Sequence, residues 1–120
     1  MAKWANDSMM DAALDYVAAA TTLLVCSSQP ADRTAALAAA LADVTVDSGD
    51  YTKANGDTSG RKVTVAQQSA VPIDTTGTAT NIALIDGSVL RYVTTCTSQA
   101  LTSGGTVTVP AWDIEIADPA

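Results

Sequence analysis

Histidine and phenylalanine are both missing from this 120-residue chain. Without histidine, the commonest general base and the commonest metal ligand are gone, so catalysis would have to rest on carboxylates, Ser/Thr hydroxyls or Cys. Basic residues are scarce, six against 13 acidic ones for a net charge of −7. Lys3, Arg33, Lys53, Arg61, Lys62 and Arg91 form no basic run beyond the Arg61-Lys62 pair. Such a surface repels phosphate backbones and argues against a nucleic-acid partner. Long apolar runs are also lacking. Leu23–Cys26 and Ala35–Ala42 fall far short of the roughly 20 residues that a membrane helix needs, so no membrane partner is expected. No apolar stretch follows Met1–Asp7, so no secretory leader is read, and the mature chain is expected to start here, in a reducing compartment.

What is present points to strands. The 48% hydrophobic content is inflated by alanine, while Thr, Val and Ile recur from Arg61 to Asp118 in short runs cut by Asp86-Gly87 and Ser103-Gly104-Gly105. β-Branched side chains suit a pleated, half-buried surface. Twelve of the thirteen acids are Asp, a residue of caps and turns, so the acidity belongs to loops and edges. A chain of this length fits one domain, residues 1–120, and buries about two-thirds of its unfolded surface without staples.

Along the chain, Asn6-Asp7-Ser8 offers three N-caps ahead of a predicted helix at Ser8–Ala20, with Met10, Ala13, Leu14 and Val17 inward and Asp11 and Asp15 outward. Met9 falls nearer the edge of that face. Thr21–Ser27 reads as a buried strand. Asp32 can cap a second helix over the Ala/Leu-rich Thr34–Ala42. Asp47–Gly60 has the turn chemistry of a loop, enclosing a brief strand at Tyr51–Lys53. Val63 and Val65 share a strand face; Thr78–Ile85 and Val89–Thr95 form a hairpin about Asp86-Gly87; Thr97–Gly105 reads as a loop. Val107 and Val109 are out of phase with Trp112, Ile114 and Ile116, which calls for a bulge or edge at Pro110. The expected fold is mainly β, an α+β chain with an N-terminal helix followed by a small antiparallel β-sandwich or barrel-like domain of four to seven strands.

Candidate sites are few. Asp113 and Glu115 project from one strand face, as a glycosidase pair would, but strand alternation explains them as a solvated face opposite Trp112, Ile114 and Ile116, and that plainer reading is preferred. Asp47, Asp50, Asn55 and Asp57 crowd a loop with oxygen ligands, yet their spacing is not that of a calcium loop. Cys26 and Cys96 lie in apolar strand settings. A bridge between them would contribute about 4 kcal/mol, but free buried thiols fit a reducing compartment better. No metal or cofactor is expected. Trp4, in the polar segment Met1–Asn6, either folds back on the helix or anchors in a neighbouring subunit. Lys3 beside it, Tyr51 in the acidic loop and Pro110 at the expected edge complete the candidate partner-binding residues.

The opening Ala5-Asn-Asp-Ser-Met-Met-Asp-Ala-Ala-Leu-Asp-Tyr-Val17 and the segments Val25-Cys-Ser-Ser-Gln-Pro30 and Asp57-Thr-Ser-Gly-Arg-Lys-Val-Thr-Val65 resemble a family of small virion structural proteins of tailed bacteriophages. So do Gly77-Thr-Ala-Thr-Asn-Ile-Ala-Leu-Ile-Asp-Gly87 and the stretch Ala100–Ile116. The resemblance covers nearly the whole chain. The Ala-rich segment after Pro30 departs from it, where a more Tyr/Thr-rich loop would be expected. It implies a non-enzymatic part of the virion, made in the host cytoplasm. The expected role is a capsid decoration or cement protein with the major capsid protein or other virion subunits as partners, and a homo-oligomer is compatible with particle symmetry. The alternative is a tail or fibre component binding a receptor or glycan through Asp47–Gly60 and Thr97–Gly105. In the first case residues 1–6 could serve as an extended arm and exposed strand edges could augment a partner sheet.

Overall fold

The computed structural model describes residues 6–57 and 60–116. It is mainly β, with one N-terminal helix and antiparallel sheets as expected. Helix α1 spans Asp7–Ala18. Asn6 caps it, its side-chain oxygen accepting from the Ser8 N–H at 2.8 Å, and the helix ends at Ala18, two residues before the expected end at Ala20. Met10, Leu14 and Val17 are buried at helical spacing. Ala13 is exposed, contrary to expectation, because the buried stripe is too narrow to include it. Met9 points to solvent.

Strand β1, Thr22–Cys26, is the buried strand predicted there. Asp32 caps α2, Arg33–Ala39, by accepting from the Ala35 N–H at 2.7 Å. The helix stops at Ala39 rather than Ala42, because Ala40–Thr45 forms β2, antiparallel to β1 in register Thr22↔Thr45 to Cys26↔Ala40. Alanine's helix propensity amounts to only a few tenths of a kcal/mol per residue, and a buried ladder outweighs it. Asp47 and Asp50 form a reciprocal capping box around a 3-10 turn at Ser48–Asp50, leading into β3, Tyr51–Asn55, two residues longer than predicted.

The remaining strands are β4 Arg61–Val65, β5 Gln68–Pro72, β6 Gly77–Ile85, β7 Leu90–Leu101, β8 Thr106–Val109 and β9 Trp112–Ile116. Strand β5 was not anticipated. It carries a bulge with Ala70 at a φ of 53°. Strand β7 continues through Thr97–Leu101, which the sequence suggested was loop.

Pairing defines three antiparallel sheets, in the orders β2-β1-β6-β7, β3-β4-β9 and β5-β8. Strands β2 and β5 meet through an Ala42↔Ile73 bridge, and the Asp74 and Thr75 N–H groups donate to the Leu41 carbonyl. The four- and two-stranded sheets therefore run into each other on that side. Leu23, Val25, Ile82 and Leu84 on one sheet meet Val63, Val65, Val71, Val109 and Ile114 from the others and Leu14 and Val17 from α1 in one core. A smaller cluster of Leu24, Cys26, Ala83 and Ile85 lies on the opposite face of the four-stranded sheet against Ala36 of α2. The phase change at Pro110 is a change of sheet: β8 ends at Val109, and β9 begins at Trp112 in another ladder. Among the described residues, no helix is long and apolar enough to cross a membrane.

Candidate functional site

The sequence-predicted candidates are not brought together. Asp113 and Glu115 share an exposed face, but each is committed to a neighbour. Asp113 accepts from the Thr64 hydroxyl at 2.7 Å and from Lys62 Nζ at 3.3 Å, and Glu115 accepts from the Asp57 N–H at 2.7 Å. The Thr64 hydrogen bond, followed by Lys62, holds the Asp113 carboxyl below its ordinary range. A carboxyl held ionised in this way is poorly suited to donate a proton as a glycosidase acid must.

The acidic loop is likewise internally satisfied. Asp47 accepts from the Gly49 N–H, Asp50 from the Asp47 N–H and Gln68, Asn55 from Arg61, and Asp57 from Lys62. These oxygens point to different partners rather than to a common centre. Tyr51 is not displayed on the loop surface. It packs against the core and donates its hydroxyl to the Ala20 carbonyl at 3.1 Å, and burial pushes its pKa up to about 12. Trp4 and Lys3 lie outside the described residues.

Cys26 and Cys96 are free thiols. They sit on β1 and β7, which are separated by β6, and belong to opposite faces of the sheet: Cys26 to the cluster under α2 and Cys96 to the main core. Burial pushes the Cys26 thiol up to about 11, and it also raises Cys96.

A hollow of about 430 Å³ lies between α2 and the β6–β7 hairpin, with Arg33, Asp43, Asp74 and Asp86 on its wall. Arg33 and Asp86 are spent on the fold, while Asp43 and Asp74 face each other. Arg33 Nε donates to the Asp86 carbonyl at 2.7 Å, while hydrogen bonding to Asp74 raises Asp43. The Asp86 carboxylate accepts from the Val89 and Ser88 N–H groups, both at 2.7 Å, and from Arg91. The backbone donors, Val89 first, depress its pKa well below the carboxylate range. Arg91 also donates to the Tyr16 carbonyl at 2.7 Å and lies 4.3 Å over the Tyr16 ring, fastening the hairpin to α1.

The unspent surface is a seam between β7 and β8. These strands follow one another through the turn at Thr102–Gly105, yet β7 pairs only with β6 and β8 only with β5. A bulge keeps β7 from a regular ladder: between Ala79↔Gln99 and Asn81↔Thr95, Thr80 faces Cys96, Thr97 and Ser98. Two cavities of about 260 Å³ each open along the seam. Ile82 and Val109 floor both, Val25 adding to one, Cys96 and Pro110 line both, and Asp113 borders the other beside Trp112. Trp112 stands at one end, stacked on Tyr92 at 6.0 Å, and its buried Nε1–H has no partner among the described residues.

From Tyr92 to Leu101 and from Thr106 to Pro110 no residue is charged. Other sheet edges are blunted. Strand β3 carries Lys53, β9 carries Asp113 and Glu115, β2 carries Asp43 and is covered at Leu41–Ala42 by Ile73–Thr75, and the uncharged β5 is kinked by a bulge at Ala70 and ends in Pro72. Of the two described candidate partner-binding residues, Pro110 falls on this seam, exposed at the end of β8, and Tyr51 does not. The seam went unread because Thr97–Gly105 has loop-like composition. The sequence signal for it was the lack of charge on both sides of Gly104-Gly105, with Thr/Val alternation over Thr106–Val109.

No protein-family profile, curated protein or solved structure matches the chain.

Proposed function

We propose that this chain is a structural subunit of a tailed-phage particle, a capsid decoration or cement protein that docks on neighbouring subunits without doing chemistry. The observation that carries the reading is the seam between β7 and β8, whose facing strands are uncharged from Tyr92 to Leu101 and from Thr106 to Pro110 and uncovered among the described residues. An edge strand presents a row of unpaired N–H and C=O groups, and proteins blunt such edges with charges or coverage unless pairing is wanted. Among the described residues, charge or coverage blunts β3, β9 and β2, whereas the β7–β8 seam has only a bulge. The commitment of Asp113, Glu115 and the Asp47–Asp57 carboxylates to internal partners supports a role without catalysis. The net charge of −7 on exposed loops suits a component present at high copy number, where self-repulsion keeps free subunits apart. The resemblance of the sequence to small phage virion proteins names the assembly.

The test is quantitative mass spectrometry of purified particles, counting this chain against the major capsid protein. A ratio comparable to that protein supports decoration of the head. A handful of copies moves the role to the tail or a fibre, and absence from the particle ends the proposal.

A further inference from the structure

We infer that the β7–β8 seam is a receptor for one extended strand of a different particle subunit, inserted between β7 and β8 and hydrogen-bonded to both. The inference rests on the assembly role proposed above and names the partner's chemistry at that site. Three features specify the occupant. Both walls offer main-chain edges unpaired among the described residues, Thr94–Leu101 on one side and Thr106–Val109 on the other, so a strand with two free edges fits and a helix does not. The floor of Val25, Ile82 and Val109 is apolar while the rims, with Thr95, Thr97, Thr106 and Thr108, are polar and exposed. The inserted strand should therefore be apolar at every second position and polar between. The two facing strands carry no charge along the seam, and the one carboxylate in the cavity lining, Asp113 beside Trp112, is already bonded to Thr64 and Lys62, so a charged side chain pointing inward would be desolvated without a free partner.

The same observations tell against a second copy as the occupant. Each strand among the described residues is already hydrogen-bonded within a sheet, so none has both edges free for insertion. Two copies at −7 each also repel. A neutral or basic donor subunit meets neither obstacle.

Cys96 provides a native reporter, because it lines both cavities of the seam, and Cys26, fully buried on the far face of the sheet, is the internal reference. The experiment compares N-ethylmaleimide labelling of the two thiols in the free chain and in intact particles, with hydrogen exchange of residues 94–101 and 106–109 measured on the same samples. Insertion should slow Cys96 labelling at least about tenfold on the particle and protect amides on both walls, with Cys26 unlabelled throughout. Equal Cys96 rates in a particle that holds the chain at high copy would overturn the inference and leave the assembly role standing. Slowed labelling without amide protection would also overturn it, since a neighbour would then merely cover the seam. So would a concentrated free chain that doubles in mass and protects Cys96 by itself, because the occupant would then be a second copy. Absence of the chain from the particle would end both proposals.

Discussion

The two halves of β7 are built on opposite terms. Its first residues are fastened on every side. Arg91 reaches the Asp86 carboxylate and the Tyr16 carbonyl and covers the Tyr16 ring, Tyr92 stacks on Trp112, and Leu84 opposite Tyr92 is fully buried. Its last residues, Thr97–Ala100, are exposed, lie within and just past a bulge that breaks the ladder, and face a partner strand on one side only. One strand can thus be a structural strut at one end and a docking edge at the other. What separates the halves is where charge and aromatic area were placed.

The comparison can be broken at its fastened end. Leu84→Ala should cost about 3 kcal/mol in urea unfolding, the usual range for a large aliphatic residue truncated in a closed core. A cost under about 1 kcal/mol would mean that the hairpin is looser than its burial implies. Arg91→Ala should follow at about 2 kcal/mol, since it removes a charge-assisted pair, a carbonyl contact and a cation–π contact together. Thr97→Ala, in the exposed half, should stay within about 0.5 kcal/mol by the same measurement. Similar costs for the two would erase the distinction between the halves.

Acid sharpens the same contrast with a smaller effect. Asp86 has a depressed folded pKa, so its contribution is fully present above the unfolded carboxylate value near 4 and is lost as pH falls below that value toward the folded one. Stability should decline below about pH 4 by less than Arg91→Ala costs, because Arg91 keeps its Tyr16 contacts when Asp86 is neutral. In Asp86→Asn, unfolding midpoints measured between pH 5 and pH 2 should show a shallower acid slope. Trp112→Phe should also have a small effect. The Nε1–H it removes is buried without a partner, a group whose burial costs about 1–3 kcal/mol, and the stacking on Tyr92 is largely kept. Thermal unfolding should shift by less than about 3 °C in either direction. A large loss would show that the indole nitrogen has a partner.

How far the sequence could be read depended on which interactions decide each element. Helix α1 was legible because its cap and its apolar spacing are local: Asn6, Met10, Leu14 and Val17 need no distant partner to signal a helix. The β6–β7 hairpin was legible for the same reason, through Asp86-Gly87. The Ala-rich segment misled, since Ala40–Ala42 follow helix propensity in isolation but are claimed by β1 in the fold. The candidate carboxylates were read correctly as a solvated face, because alternation in β9 is itself local. The seam was not read: pairing, or its absence, between β7 and β8 depends on β5, β6 and the bulge at Cys96–Ser98.

By itself the sequence determined the class of the molecule. Its β-branched runs, Asp-rich turns and lack of histidine make an antiparallel β chain with an acidic loop surface, and these are consequences of local backbone preference and composition. Only the tertiary structure decided which carboxylates are spent on neighbours, that Tyr51 turns inward, and that Cys26 and Cys96 lie on opposite faces of one sheet. It also decided which edge is left unpaired. That edge depends on long-range strand order, and strand order follows from burying the apolar faces of all three sheets in one core, a constraint no single stretch of the chain contains.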